Sequence, residues 1–169
     1  MEFCFDTVYT PKSMAVMAKA LRKTIRKRHS KRSHLFGFFV VFLGILLAFS
    51  ASEISFKSII TVAVVLFILL ALVFEDHING YIAFKRILPV TTRSIVRFHQ
   101  EGYHTETAAG SSDFPYSNII AIAEDQNYYV LIFSSSHAQL YDKRTISGGT
   151  HSDFSAFISE KTGCSIQTL

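Results

Sequence analysis

LFGFFVVFLGILLAFSAS, from Leu35 to Ser52, and SIITVAVVLFILLALVF, from Ser58 to Phe74, are apolar runs of eighteen and seventeen residues without a charge. At about 1.5 Å of helical rise per residue they reach roughly 26 to 27 Å, close to the roughly 30 Å of a bilayer's hydrocarbon core. Glu53 and Lys57 sit in the short joint between them. Two helices buried in a soluble core would break such runs with polar positions. The reading is a transmembrane hairpin over residues 35–74, with spans at about 35–52 and 58–74.

Charge is distributed unevenly about this hairpin. Residues 1–34 carry a net charge of +7, the hairpin is neutral and residues 75–169 carry −3, giving +4 for the chain. Lys and Arg beside the first span mark the cytoplasmic side. Two spans bring the chain back, so both termini are expected on the cytoplasmic side. Cys4 and Cys164 stand at opposite ends and are expected as free thiols there. A cleaved signal peptide does not fit a 34-residue leader followed by two spans.

Before the hairpin, Met1 to Tyr9 alternates Phe3, Phe5 and Tyr9 against Glu2, Cys4 and Asp6, the pattern of a short strand with one apolar face. A lone strand is unstable, so it is expected to pair with strands beyond the hairpin. Thr10 and Pro11 suit an N-cap and first helical position. From there to about His34, Met14, Met17, Leu21 and Ile25 recur at helical spacing among basic residues. Lys19, Arg22, Lys23, Arg26, Lys27, Arg28, Lys31 and Arg32 are the candidate contacts to anionic lipid headgroups, each worth about 1 kcal/mol near the surface. Read plainly, the same run is a topology signal with a solvated face. It lacks the interleaved aromatics of a nucleic-acid site.

Within the first span, Gly37, Gly44, Ala48 and Ala51 lie near one stripe, where small residues let helix backbones approach in lipid. The expected partner is the second span, and homodimerisation is the other use. No ionisable residue lies within either span, which argues against a pump or channel.

After the hairpin, Gly80 to Leu88 fits either an interfacial amphipathic segment or a first strand. From Ser94 the pattern is β: SIVRFH, where Ile95 and the ring of Phe98 alternate loosely with polar neighbours, YHTETA with Tyr103, Thr105 and Thr107 on one face, a loop over 109–113, and strands over 116–123, 128–133 and 138–142. Thr150 with Asp153 forms a capping box for a final helix with Phe154, Phe157 and Ile158 on one face and Gly163 at its end. The expected fold is α+β, a two-helix transmembrane hairpin with a pleckstrin-homology-like (PH-like) antiparallel sheet module, residues 75–169, closed by a C-terminal helix.

FPYSNIIAIAEDQNYYVLIFSSSHAQLYDKRTISGG, from Phe114 to Gly149, resembles the C-terminal module of YcxB-like proteins. The resemblance implies a small bacterial two-span membrane protein with an N-terminal strand and helix and a β-rich cytoplasmic domain. Tyr116, Ser117, Asn118 and Ile119 match its Tyr-Ser-Asp-Ile start. Lys143 matches half of its Pro-Lys pair, with Asp142 in place of the proline.

Catalytic chemistry finds little footing. His99 and His104 flank a turn without a third metal ligand at suitable spacing. The serines lack an activating context, and Ser147-Gly148-Gly149 lacks the lysine of a phosphate loop. No cofactor is expected. Lys143 and Arg144, close to the last helix's start, are a candidate phosphate or headgroup site, or a solvated basic strand end. The expected function is non-enzymatic: a tethered module that binds lipid or another protein. The alternatives are immunity against a membrane-acting toxin and a transporter subunit.

Overall fold

The computed structural model describes residues 2–50 and 56–169. The strand β1 (Phe3–Val8) leads into α1 (Pro11–Lys23), then α2 (Lys27–Phe49), α3 (Phe56–Val73) and α4 (Glu75–Arg86). Seven further strands follow: β2 (Arg93–Phe98), β3 (Gly102–Thr107), β4 (Gly110–Pro115), β5 (Ala121–Glu124), β6 (Tyr128–Ile132), β7 (Ala138–Asp142) and β8 (Ile166–Thr168), with α5 (His151–Thr162) before the last. The class is α+β, with five helices and two four-stranded sheets among the described residues.

One sheet has the order β1-β2-β3-β4, so the N-terminal strand does pair across the long helices, Phe5 opposite Val96. The other has the order β7-β6-β5-β8, with β8 parallel to β5. This second sheet is buried on both faces, which accounts for the unbroken apolar run of β6. Tyr129 and Leu131 point with Ile122 and Tyr141 toward the first sheet, where Phe3, Phe5, Phe98 and the α5 residues Phe154 and Ile158 complete one core. Tyr128, Val130 and Ile132 point the other way, with Ala121, Ala123 and Leu140, against Ala20 and Leu21 of α1. The period-two alternation thus feeds two cores at once. Small residues at 121 and 123 leave room for the helix.

Both capping motifs form as read. The Thr10 hydroxyl accepts from the Ser13 amide while the Ser13 hydroxyl accepts from the Thr10 amide, and Thr150 and Asp153 pair likewise. Gly163 ends α5 at φ +68°, a left-handed conformation that glycine takes without steric penalty.

Several expectations need correction. The basic helix does not run unbroken to His34: it stops at Thr24, whose hydroxyl and amide both bond to the Ala20 carbonyl, while the Arg26 amide reaches back to Leu21. Residues 27–34 belong to the long helix α2. Of the two alternatives for residues 80–88, the strand is excluded and 80–86 are helical, but the helix α4 begins earlier, at Glu75 directly after α3, where the Ile78 amide bonds to the Phe74 carbonyl. The loop expected over 109–113 falls mostly in β4, an exposed edge strand whose ladder to β3, rather than burial, fixes it. Tyr116–Asn118 form one 3-10 turn instead of opening a strand. In β2 the inward residues are Ser94, Val96 and Phe98, and Ile95 faces the other side. The antiparallel sheet expected after the hairpin is in fact divided between two sheets.

Acid should weaken this assembly. Hydrogen bonds from Arg144 hold the Asp142 carboxyl below its ordinary range, and Arg93 does the same for Asp6. A carboxyl with a lowered folded pKa contributes stability above its unfolded value and loses it as pH falls through the folded one. Unfolding midpoints of the full chain in detergent are therefore expected to be flat near neutrality and to drop below about pH 4. In Asp142→Asn the slope should be shallower.

Candidate membrane-surface site

The apolar helices meet the sheet module through α1 and α4. Gly80 of α4 lies directly on the α1 backbone: a Cβ built there would contact the Ala15 amide nitrogen and stand 2.5 Å from Ala15 Cα and 2.8 Å from the Met14 carbonyl carbon. Only glycine permits this crossing. The apolar face of α1 is therefore spent on α4 and the sheet, with Met14, Ala15, Ala20 and Leu21 buried.

A belt of ion pairs surrounds the joint. Arg22 Nε donates to Asp76 Oδ1 at 2.7 Å and its Nη2 to Oδ2 at 2.6 Å, a bidentate pair. His34 Nε2 lies 2.7 Å from Glu75 Oε2. Glu75 and Asp76 occupy the first turn of α4, where negative charge suits the helix dipole. Beyond this belt the surface changes abruptly. Leu35, Phe36, Leu47, Phe67 and Val73 are all more than two-thirds exposed, and only 6% of the apolar window in each long helix is buried. By length and composition, α2 and α3 can each cross a membrane.

The stripe of small residues on α2 faces α3. A Cβ at Gly37 would stand 2.9 Å from Leu72 Cδ1, and one at Gly44 would collide with Val65 Cγ2. Ala48 is half-buried near the end of α2, and Ala51 lies outside the described residues.

The basic residues separate into used and unused charge. Arg22 is paired, and Arg26 Nε donates to the Ser135 carbonyl at 2.6 Å, which ties the start of α2 to the loop after β6. Lys19 is half-buried, whereas Lys23, Lys27, Arg28, Lys31 and Arg32 are exposed. Lys143 Nζ bonds Glu124 Oε2 and the Asp125 carbonyl, both at 2.7 Å, and lies 4.3 Å above the Tyr129 ring. Arg144 forms a bidentate pair with Asp142. The charges of both are thus taken up within the β5–β7 end of the sheet.

Two other features have no local sequence signal. Cavities of about 440 and 580 Å³ lie along α1 and α4, sharing Met14, Met17, Ala83, Arg86 and Ser136; the larger reaches Thr105 and Gln139 at the mouth between the sheets. Nearby, burial raises the hydroxyl pKa of Tyr9, Tyr103, Tyr116 and Tyr141, keeping these groups neutral. The Tyr103 and Thr105 hydroxyls are buried without a hydrogen-bond partner among the described residues. Each of these features joins residues far apart in sequence, so no local pattern announces them. His99 and His104 are instead engaged separately, by Glu2 and Asp113.

No curated protein matches this chain. A solved chain from "Structure of the Spt16D Pob3N heterodimer" aligns at 12% identity and a TM-score of 0.32, over 44% of this chain and 44% of that one, so the match spans less than half of the solved chain. Residues 98–158, from the end of β2 into α5, match the model of the family described as YcxB-like protein, and the chain therefore carries a YcxB-like segment.

Proposed function

We propose that this chain is a non-enzymatic membrane protein whose two apolar helices span the bacterial inner membrane as a hairpin and hold a PH-like module, closed by α5, against the cytoplasmic face. There the module binds lipid or another protein. The observation that carries this reading is the joint itself: exposed apolar helices end at the Arg22–Asp76 and His34–Glu75 pairs, and Gly80 seats the returning helix on α1. A flexible tether would only raise the module's local concentration. A seated joint supports a single face of the module toward the headgroups.

The net charge of +7 before the first span supports a cytoplasmic N-terminus, and the pairing of β1 with β2 requires both flanks on one side. A reporter fused after Leu169 is expected to behave as cytoplasmic in cell fractionation and activity assays. Periplasmic activity of that fusion would overturn the arrangement.

A further inference from the structure

We infer that the start of α2 and strand β8 form a pocket for the phosphate of an anionic lipid headgroup, an inference that rests on the membrane reading above. The cavity measures about 390 Å³ and is lined by Lys23, Lys27, Lys31, His34, Gln167 and Thr168, with Arg22, Ser30 and Leu169 completing the wall. Lys27 and Lys31 are one helical turn apart on α2, and Lys23 closes α1 just before the break, so three lysines line one space.

None of the lining side chains is a carboxylate. Among the described residues, these three lysines have no ion-pair partner, while the neighbouring Arg22 is occupied by Asp76. Like charges around one cavity repel one another, and an anion among them offsets the repulsion. The α2 dipole adds to the same field, since its first turn carries no acidic residue and its N-cap, Arg26, makes no side-chain cap. By contrast, the lining of the 440 Å³ cavity along α1 and α4 includes the Glu75 carboxylate and is less suited to an anion.

Position selects a lipid over a soluble phosphate ester. His34 sits in the pocket wall, and Leu35 and Phe36, directly after it, are 73% and 69% exposed. Lys31 to Leu35 covers about 6 Å along the helix axis. A phosphate among the lysines can therefore place its acyl chains on the apolar surface of α2 without leaving the pocket.

The test uses the full-length protein in discs of phosphatidylcholine containing increasing fractions of phosphatidylglycerol, with retained lipid measured by native mass spectrometry. Phosphatidylglycerol should be retained preferentially, less so as salt rises. K23Q/K27Q/K31Q should weaken that preference roughly 10- to 100-fold. K12Q/K85Q/K161Q, which removes equal charge elsewhere, should leave it unchanged. K27E alone should reduce it as well, giving a second variant that needs only one change. Equal retention by the two triple variants would overturn the pocket, as would displacement of the lipid by glycerol phosphate at matched concentration. If the membrane reading fails instead, the protein stays monodisperse without detergent and enters no disc, a result unlike loss of lipid preference.

Discussion

Gly80→Ala should lower the unfolding free energy of the full-length protein by about 3 kcal/mol, at the upper end of what overpacking usually costs. In an exposed helix interior the change goes the other way, since alanine is favoured over glycine by roughly 0.8 to 1 kcal/mol. The sign reverses here because the new methyl group meets backbone. Its neighbours are the amide nitrogen and Cα of Ala15 and the carbonyl carbon of Met14, which cannot rotate away as a side chain can. The α1 helix cannot retreat either, because Ala20 and Leu21 press it onto the second sheet and Arg22 is clamped to Asp76. Denaturant titration in detergent, followed by circular dichroism, measures the loss. Ala15→Gly added to Gly80→Ala should give no rescue, since it removes a methyl group that is not part of the collision. Wild-type stability in Gly80→Ala would show that the two helices do not cross as closely as described.

That crossing marks where sequence reasoning reaches its limit. The apolar runs, the alternation in Phe3 and Phe5, the fully buried YYVLI strand, the Thr10 N-cap and the Thr150–Asp153 capping box are local patterns, and each forms as its pattern requires. EDHINGYIAFKR is different. With a glycine at its centre it favours neither helix nor strand, and packing on α1 decides the matter. The strand β4 is hidden for the opposite reason: Gly110, Ser111, Ser112 and Asp113 have a loop's composition, and only hydrogen bonding to β3 makes them a strand. The basic residues were legible as a group but not as individuals. Arg22 and Asp76 stand 54 positions apart, so only the fold separates the neutralised arginine from the lysines that remain unpaired.

Phe154→Ala should cost about 3 to 5 kcal/mol, the range for emptying a fully buried aromatic site. Its ring is fully buried, with centroids 4.8 Å from Phe5, 5.0 Å from Phe98, 5.0 Å from Tyr129 and 5.4 Å from Phe3. These neighbours come from β1, β2 and β6, so one side chain on α5 joins both sheets. Edge and tilted contacts of this kind add roughly 0.5 to 1.5 kcal/mol each beyond area burial, and the surrounding rings are too rigid to close the space. The loss should differ from that at Gly80 in where it appears. Phe154 lies in the core between the sheets, away from the α1–α4 joint, so hydrogen exchange in the variant should accelerate through β1, β2, β6 and α5 while the amides of α2 and α3 keep their protection. Gly80→Ala should expose α1 and α4 first. If both substitutions loosened the same amides to the same degree, the apolar helices and the sheet module would be one cooperative unit, and the proposed division into an anchor and a seated module would fail.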